Sequence, residues 1–305
     1  MLAQRLIFGT ILIALLLGGA WLDAHLDGLA TPAFLSGLVR GDTLPPGIVV
    51  LPVLALLGWV ASGELAVILR GTSVQASGML MRCAALAGLL SVSLGLGLGA
   101  ADEGAALVAT AAALVMAGSM LWSSRDGDPS GAAASAGGAL LGFVYLGVLP
   151  GFLVLVRADQ GMWVLAWLLI VTKSSDIGAF AAGKSLGRRK LIPWLSPGKT
   201  WEGLGGGIAL AALLGAALAP LAAALGGGFP DPGGLGVALT GAIVGALLAV
   251  LGQAGDLSAS LLKRDAAIKD AGRSMPGFGG VIDVIDSLLL VGPFAFWLLG
   301  AASAD

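Results

Sequence analysis

Nine apolar runs follow one another along the chain, at about 5–22, 47–69, 78–100, 104–122, 133–155, 161–182, 204–225, 235–255 and 280–300. Each is close to the ~20 residues that a helix needs to cross a bilayer. The fold expected is therefore all-α, a polytopic integral membrane bundle of about nine helices. The first run carries one N-terminal Arg5 and a short apolar core, as a signal peptide would. No clean small-x-small cleavage site precedes Asp23, so an uncleaved first helix is expected. Gly127–Gly138 reads as a flexible connector between spans four and five. Two polar connections stand out, about 183–203 and Gly255–Asp286.

Composition agrees with the pattern. The 305 residues are 57% hydrophobic and 11% charged, with a mean hydropathy of +0.98. A soluble domain carries about 25% charged residues, so this chain could not cover its surface in water. The single cysteine, Cys83, excludes an intrachain disulfide and a thiolate metal site. The single histidine, His25, reads as a plain loop residue, which leaves Ser-His-Asp and Cys-His mechanisms without their base.

Charge sets the orientation. With the N-terminus in the cytoplasm, 13 of the 16 Lys and Arg residues fall on or near the cytoplasmic side, while Arg40 and Arg157 fall outside and Lys173 lies within span six. The positive-inside rule favours that arrangement. The glycine-rich runs 94–98, 137–142 and 203–207 read as close helix packing.

The segment Gly255–Asp286 gathers Asp256, Asp265, Asp270, Asp283 and Asp286 beside Lys263, Arg264, Lys269 and Arg273. Charge near a bilayer is costly and marks function by default. Carboxylates bind Mg²⁺, and Lys and Arg bind phosphates. If 256–270 is helical, Asp256, Ser260, Lys263 and Asp270 share one face. Met275–Gly280 must then be a loop, whose bare N–H groups, at Gly279 and Gly280 among others, could approach a phosphate. Asp283 and Asp286 open the last span, where acids also serve as helix N-terminal caps. In 196–203, Pro197 and Gly198 read as a turn, followed by Lys199, Thr200 and Glu202. Lys173 and Asp176 could neutralise each other inside the bundle. Residues 178–185 match the P-loop pattern, but a P-loop needs a strand before it and an α/β domain around it. Here it ends a membrane span.

These segments resemble the phosphatidate cytidylyltransferase (CDP-diacylglycerol synthase) family. Gly255-Asp256-Leu257, then Ser260, Lys263, Arg264, Lys269, Asp270, Gly272, Pro276, Gly277, Gly279, Gly280, Asp283 and Asp286 match its long motif. Asp176-x-Gly178-Ala179 and Ser196–Gly203 match two further marks in the same order. The likeness covers about 170–290, with Glu64 in span two as a further candidate. Phe278, Val284 and Ala259 depart from the pattern, replacing the usual His, Arg and frequent Glu.

The resemblance implies transfer of a cytidylyl group from CTP to phosphatidic acid, giving CDP-diacylglycerol and pyrophosphate. Residues 1–155 would then be N-terminal transmembrane helices and 156–305 a catalytic transmembrane half with its site on the cytoplasmic side of the inner membrane. Asp256 and Asp283 are implied as Mg²⁺ ligands, with room for a second cation. Ser260, Lys263, Arg264, Lys269, Asp270 and Asp286 complete the catalytic set. Asp176, Lys199, Thr200, Glu202, Gly279 and Gly280 are expected to bind substrate. The partners implied are CTP, phosphatidic acid and the lipid bilayer, with no nucleic acid; a homodimer is compatible with this. The rival readings are a CTP-dependent enzyme acting on a polyprenol or archaeal lipid, and a polytopic transporter. Paired broken helices or repeats, the mark of many transporters, are not evident.

Overall fold

The computed structural model describes the chain apart from residues 1, 33–41, 73, 75–76, 99–100, 128–129, 232–235, 276, 278 and 303–305. Side chains at 2–13, 96–98, 101, 126 and 301–302 also lie outside the description. The expectations placed on Arg40, Pro276 and Phe278 therefore fall outside the described residues.

The helices are α1 (Leu2–Leu26), α2 (Val50–Gly71), α3 (Gly78–Leu98), α4 (Ala101–Ser123), α5 (Ala132–Phe143), α6 (Leu149–Gln160), α7 (Met162–Leu186), α8 (Trp201–Ala224), α9 (Val237–Asp265) and α10 (Ile282–Ala302). A π-helical turn, Val144–Val148, joins α5 to α6 into one apolar helix, Ala132–Gln160. All nine apolar runs are thus helical, and the all-α polytopic fold is borne out. Eight of them are long and apolar enough to cross a membrane among the described residues. Large apolar side chains such as Leu121, Phe180 and Trp297 are turned outward, as a lipid-facing surface requires.

The π turn has a local cause. Pro150 lacks an N–H and its ring would strike the carbonyl four residues back. The ladder widens just before it, with Leu149 N–H donating to Val144 O.

Two predicted connections differ from the structure. The connector read at Gly127–Gly138 is shorter, because α5 begins at Ala132. His25 is helical rather than in a loop, stacked on Trp21 one turn earlier with ring centroids 5.2 Å apart.

The chain divides into two compact units. One is built chiefly from Val50–Leu155 and Leu262–Ile285; the other joins Val156–Leu261 to Gly9–Val49 and to the chain from Asp286 onward. In the second unit α7 and α8 pack backbone to backbone. A Cβ on Gly206 would lie 2.2 Å from Ala182 Cβ, and one on Gly178 would lie 2.6 Å from Gly206 O. Small residues permit this approach, as the 203–207 run predicted. The same unit buries Arg157 against Asp23 and, at 2.6 Å, Asp27. Asp23 also accepts from Val49 N–H at 2.8 Å. An arginine buried among helices is tolerated when paired in this way.

Candidate active site

In the second unit, the route to the site runs from α7 through a hairpin into α8. Strands β1 (Lys190–Ile192) and β2 (Ser196–Thr200) pair antiparallel. Pro197 and Gly198 therefore lie within a strand, and the turn falls at 193–195. The expected turn at 197–198 is overturned by that register. Thr200 caps α8, its hydroxyl accepting from Gly203 N–H at 3.0 Å. Glu202 accepts from Arg188 and Arg189 N–H at 3.0 and 3.2 Å, fastening the start of the hairpin. Both side chains expected to bind substrate thus also hold the loop that carries Lys199.

Lys199 meets Asp256 of α9 at 2.7 Å. Asp176 of α7 lies within electrostatic reach of Asp256 and Lys199, and 3.5 Å from Lys173 Nζ, the pairing expected from the sequence. Lys173 also donates to Ser287 Oγ at 2.6 Å. Gly255 has a plain reason to precede Asp256: a Cβ there would lie 2.5 Å from Asp286 O, so α9 and α10 touch through bare backbone. Asp286 is buried, its Oδ1 accepting from Ser287 N–H. Ser260, one turn after Asp256, is half-buried.

The first unit holds a second cluster. Lys263, buried near the end of α9, donates to Asp283 Oδ1 at 2.6 Å. The other oxygen of Asp283 accepts from Ala271 N–H at 2.8 Å and Gly280 N–H at 2.9 Å. Asp283, in the first turn of α10, therefore clamps the loop before it. Gly279 takes a left-handed φ of 97°, which glycine adopts without strain. Its N–H donates to Met275 O and its carbonyl accepts from Met275 N–H. The N–H groups of Gly279 and Gly280, expected to be bare, are both engaged inside the loop.

The shared helix face is shorter than the sequence suggested. The α9 helix stops at Asp265, and Asp270 lies exposed in the following loop, off that face. Ala267 has φ 54°, while Ile268 N–H bonds Lys263 O and Ala267 N–H bonds Arg264 O. This is a Schellman stop with alanine in the position usually given to glycine. Arg264 donates to Ile268 O at 2.8 Å, and Lys269 is exposed.

Glu64 of α2 is the residue whose role the sequence left open. Its buried carboxylate accepts from Val281 N–H at 2.9 Å, Ile282 N–H at 3.0 Å and Ser274 Oγ. It neutralises the open N–H groups at the start of α10, where negative charge is favoured. A lone acid in an apolar span was the available signal. Residues 178–185 lie within α7, so no P-loop forms.

Among the described residues no group of three or more His, Cys, Asp or Glu side chains stands together as a metal cage. Carboxylate oxygens are the donor type that Mg²⁺ takes. Asp256 and Asp283 offer hard oxygens, and each is now balanced by a lysine.

Known proteins resemble this chain. Residues 29–302 match the model of the cytidylyltransferase family. The chain is 40% identical over 165 residues to a phosphatidate cytidylyltransferase of Bacillus subtilis (strain 168), covering 53% of this chain and 58% of that protein. It is 39% identical over 166 residues to the phosphatidate cytidylyltransferase of Brucella suis biovar 1, covering 54% and 57%. For that of Helicobacter pylori (strain ATCC 700392 / 26695) the identity is 43% over 153 residues, covering 50% and 52%. The chain thus spans little more than half the length of the curated relatives it matches. With the family model covering nearly the whole chain, and the acid–lysine pairs built from the motif residues, this protein belongs to the cytidylyltransferase family.

Proposed function

We propose that this protein transfers the cytidylyl group of CTP to phosphatidic acid at the cytoplasmic face of the inner membrane. The observation that carries the reading is the pair of lysine–carboxylate contacts, Lys199–Asp256 and Lys263–Asp283, built from the motif that resembles this family. The relatives' names supply the substrates.

In the reaction a lipid phosphate oxygen attacks the α-phosphorus of CTP. The bond to the β-phosphate oxygen breaks, and pyrophosphate leaves with the electron pair. The nucleophile is already ionised near neutral pH, so no general base is needed, which suits a chain with one histidine. The work left to the protein is to align two polyanions and offset their charge. Lys199 and Lys263 would turn from their carboxylates to phosphate oxygens. Asp256 and Asp283 would hold Mg²⁺, which when bound supplies charge neutralisation across the phosphates. Arg264, exposed in the last turn of α9, and Lys269 and Asp270, exposed on the loop after it, would meet the nucleotide from solvent. Thr200 and Glu202 would act by fixing the hairpin that aims Lys199. The lipid keeps its chains in the bilayer and enters sideways.

The test is transfer of labelled CTP into lipid by purified protein given phosphatidic acid and Mg²⁺. Label in CDP-diacylglycerol, absent with Asp256→Asn, is the expected result. No label from a folded wild-type protein would sink the reading.

A further inference from the structure

A cavity of about 410 Å³ in the first unit is lined by three arginines: Arg70 at the end of α2, Arg82 in α3 and Arg273 in the loop before α10. Glu64, the one acid on its wall, is already committed to Val281 N–H, Ile282 N–H and Ser274. Among the described residues none of the three arginines makes an ion pair. Arg70 Nε donates to Ala66 O at 3.1 Å. Arg82 is held against α2, its guanidinium 5.2 Å from the centre of the Trp59 ring and close against Gly63. Its Nε is buried and has no hydrogen-bond partner. A buried guanidinium donor without an acceptor is costly, and the planar fork of arginine matches a phosphate. The lining also includes Val60 and Val67 of α2, and Val67 is exposed. Cations beside apolar side chains suit an amphiphile with an anionic head.

The cavity also touches the chemistry. Ala271 lines it, and the N–H of Ala271 is held by Asp283 Oδ2 at 2.8 Å. We propose that Arg70, Arg82 and Arg273 form the seat of a phosphomonoester, that of the lipid substrate. The identity of the lipid rests on the reaction proposed above; the anion site rests on the cavity itself. A free phosphate or the nucleotide could supply the same chemistry, so the test must separate them.

The experiment is equilibrium binding to the full chain in detergent, without Mg²⁺ and hence without turnover. The probes are dioctanoyl phosphatidic acid, dioctanoylglycerol, CTP and inorganic phosphate, each against wild type, Arg82→Gln, Arg273→Gln and Arg82→Lys. Dioctanoyl phosphatidic acid should bind at least about tenfold tighter than dioctanoylglycerol, in line with loss of a charge-assisted bond. Each Gln variant should weaken that binding about tenfold and leave CTP unchanged, with Arg82→Lys recovering part of it. Unchanged phosphatidic acid binding in both Gln variants overturns the site. Weakened CTP or phosphate binding instead assigns the cavity to a free phosphate and overturns the lipid source. Arg273 is exposed on a loop, so its variant carries the test even if the Arg82 variants fold poorly. Arginine-dependent lipid binding with no turnover under Mg²⁺ and CTP would keep the site and sink only the reaction.

Discussion

The two lysine–carboxylate pairs look alike in sequence and differ in what surrounds them. Asp256 meets Lys199 through side chains alone, one from a helix and one from a strand. Asp283 meets Lys263 and also receives two backbone N–H groups, so it ties the preceding loop to the start of α10. An acid bound only to a lysine can be given over to chemistry with little effect on the fold. An acid that also clamps backbone cannot be removed without loosening the structure that carries it.

Alanine substitution breaks the comparison most directly. Asp256→Ala and Asp283→Ala should each lower transfer by about a thousandfold or more, the scale of losing a principal electrostatic group. Only Asp283→Ala should also cost about 2–4 kcal/mol of stability, because two N–H groups and the buried Lys263 lose their acceptor. Activity assays beside thermal melts in detergent would show this; equal melting losses would erase the distinction. Next in size is Glu64. Glu64→Ala should cost about 2–3 kcal/mol by stranding the N–H groups that open α10, and should lower kcat through displacement of Asp283. Glu64→Gln, which keeps an acceptor oxygen, should fall between. An unchanged kcat in the folded Glu64→Ala enzyme would confine Glu64 to stability. The smallest effect sharpens the same region from the other direction. Ala267→Gly should raise stability by about 1 kcal/mol, by removing the left-handed penalty at the α9 stop; a chemical denaturation midpoint would record it.

Local features were the legible ones. Each apolar run became a helix, because a spanning segment must satisfy its own backbone. Within the long motif Lys263 and Asp283 meet as an ion pair, while Asp256 meets Lys199 of the hairpin. The end of α9 was hidden because Ala267 stands where glycine would announce a stop, which let the sequence suggest a helix continuing to Asp270. The hairpin was hidden because Pro197 and Gly198 are ordinary turn residues that here sit on a two-stranded edge, where proline is tolerated. Glu64 pairs with backbone more than two hundred residues away, and no local pattern encodes such a distance.

The seam between α7 and α8 bears on how this chain can vary. Where Gly206 and Ala182 nearly touch, even a methyl group would force two backbones apart, and the hairpin at the head of α8 would tilt with them. The aim of Lys199 is therefore written partly in residues that have no chemistry of their own. Drift along the lipid-facing sides of these helices is cheap, while drift along the seam would mis-set a site about two turns away.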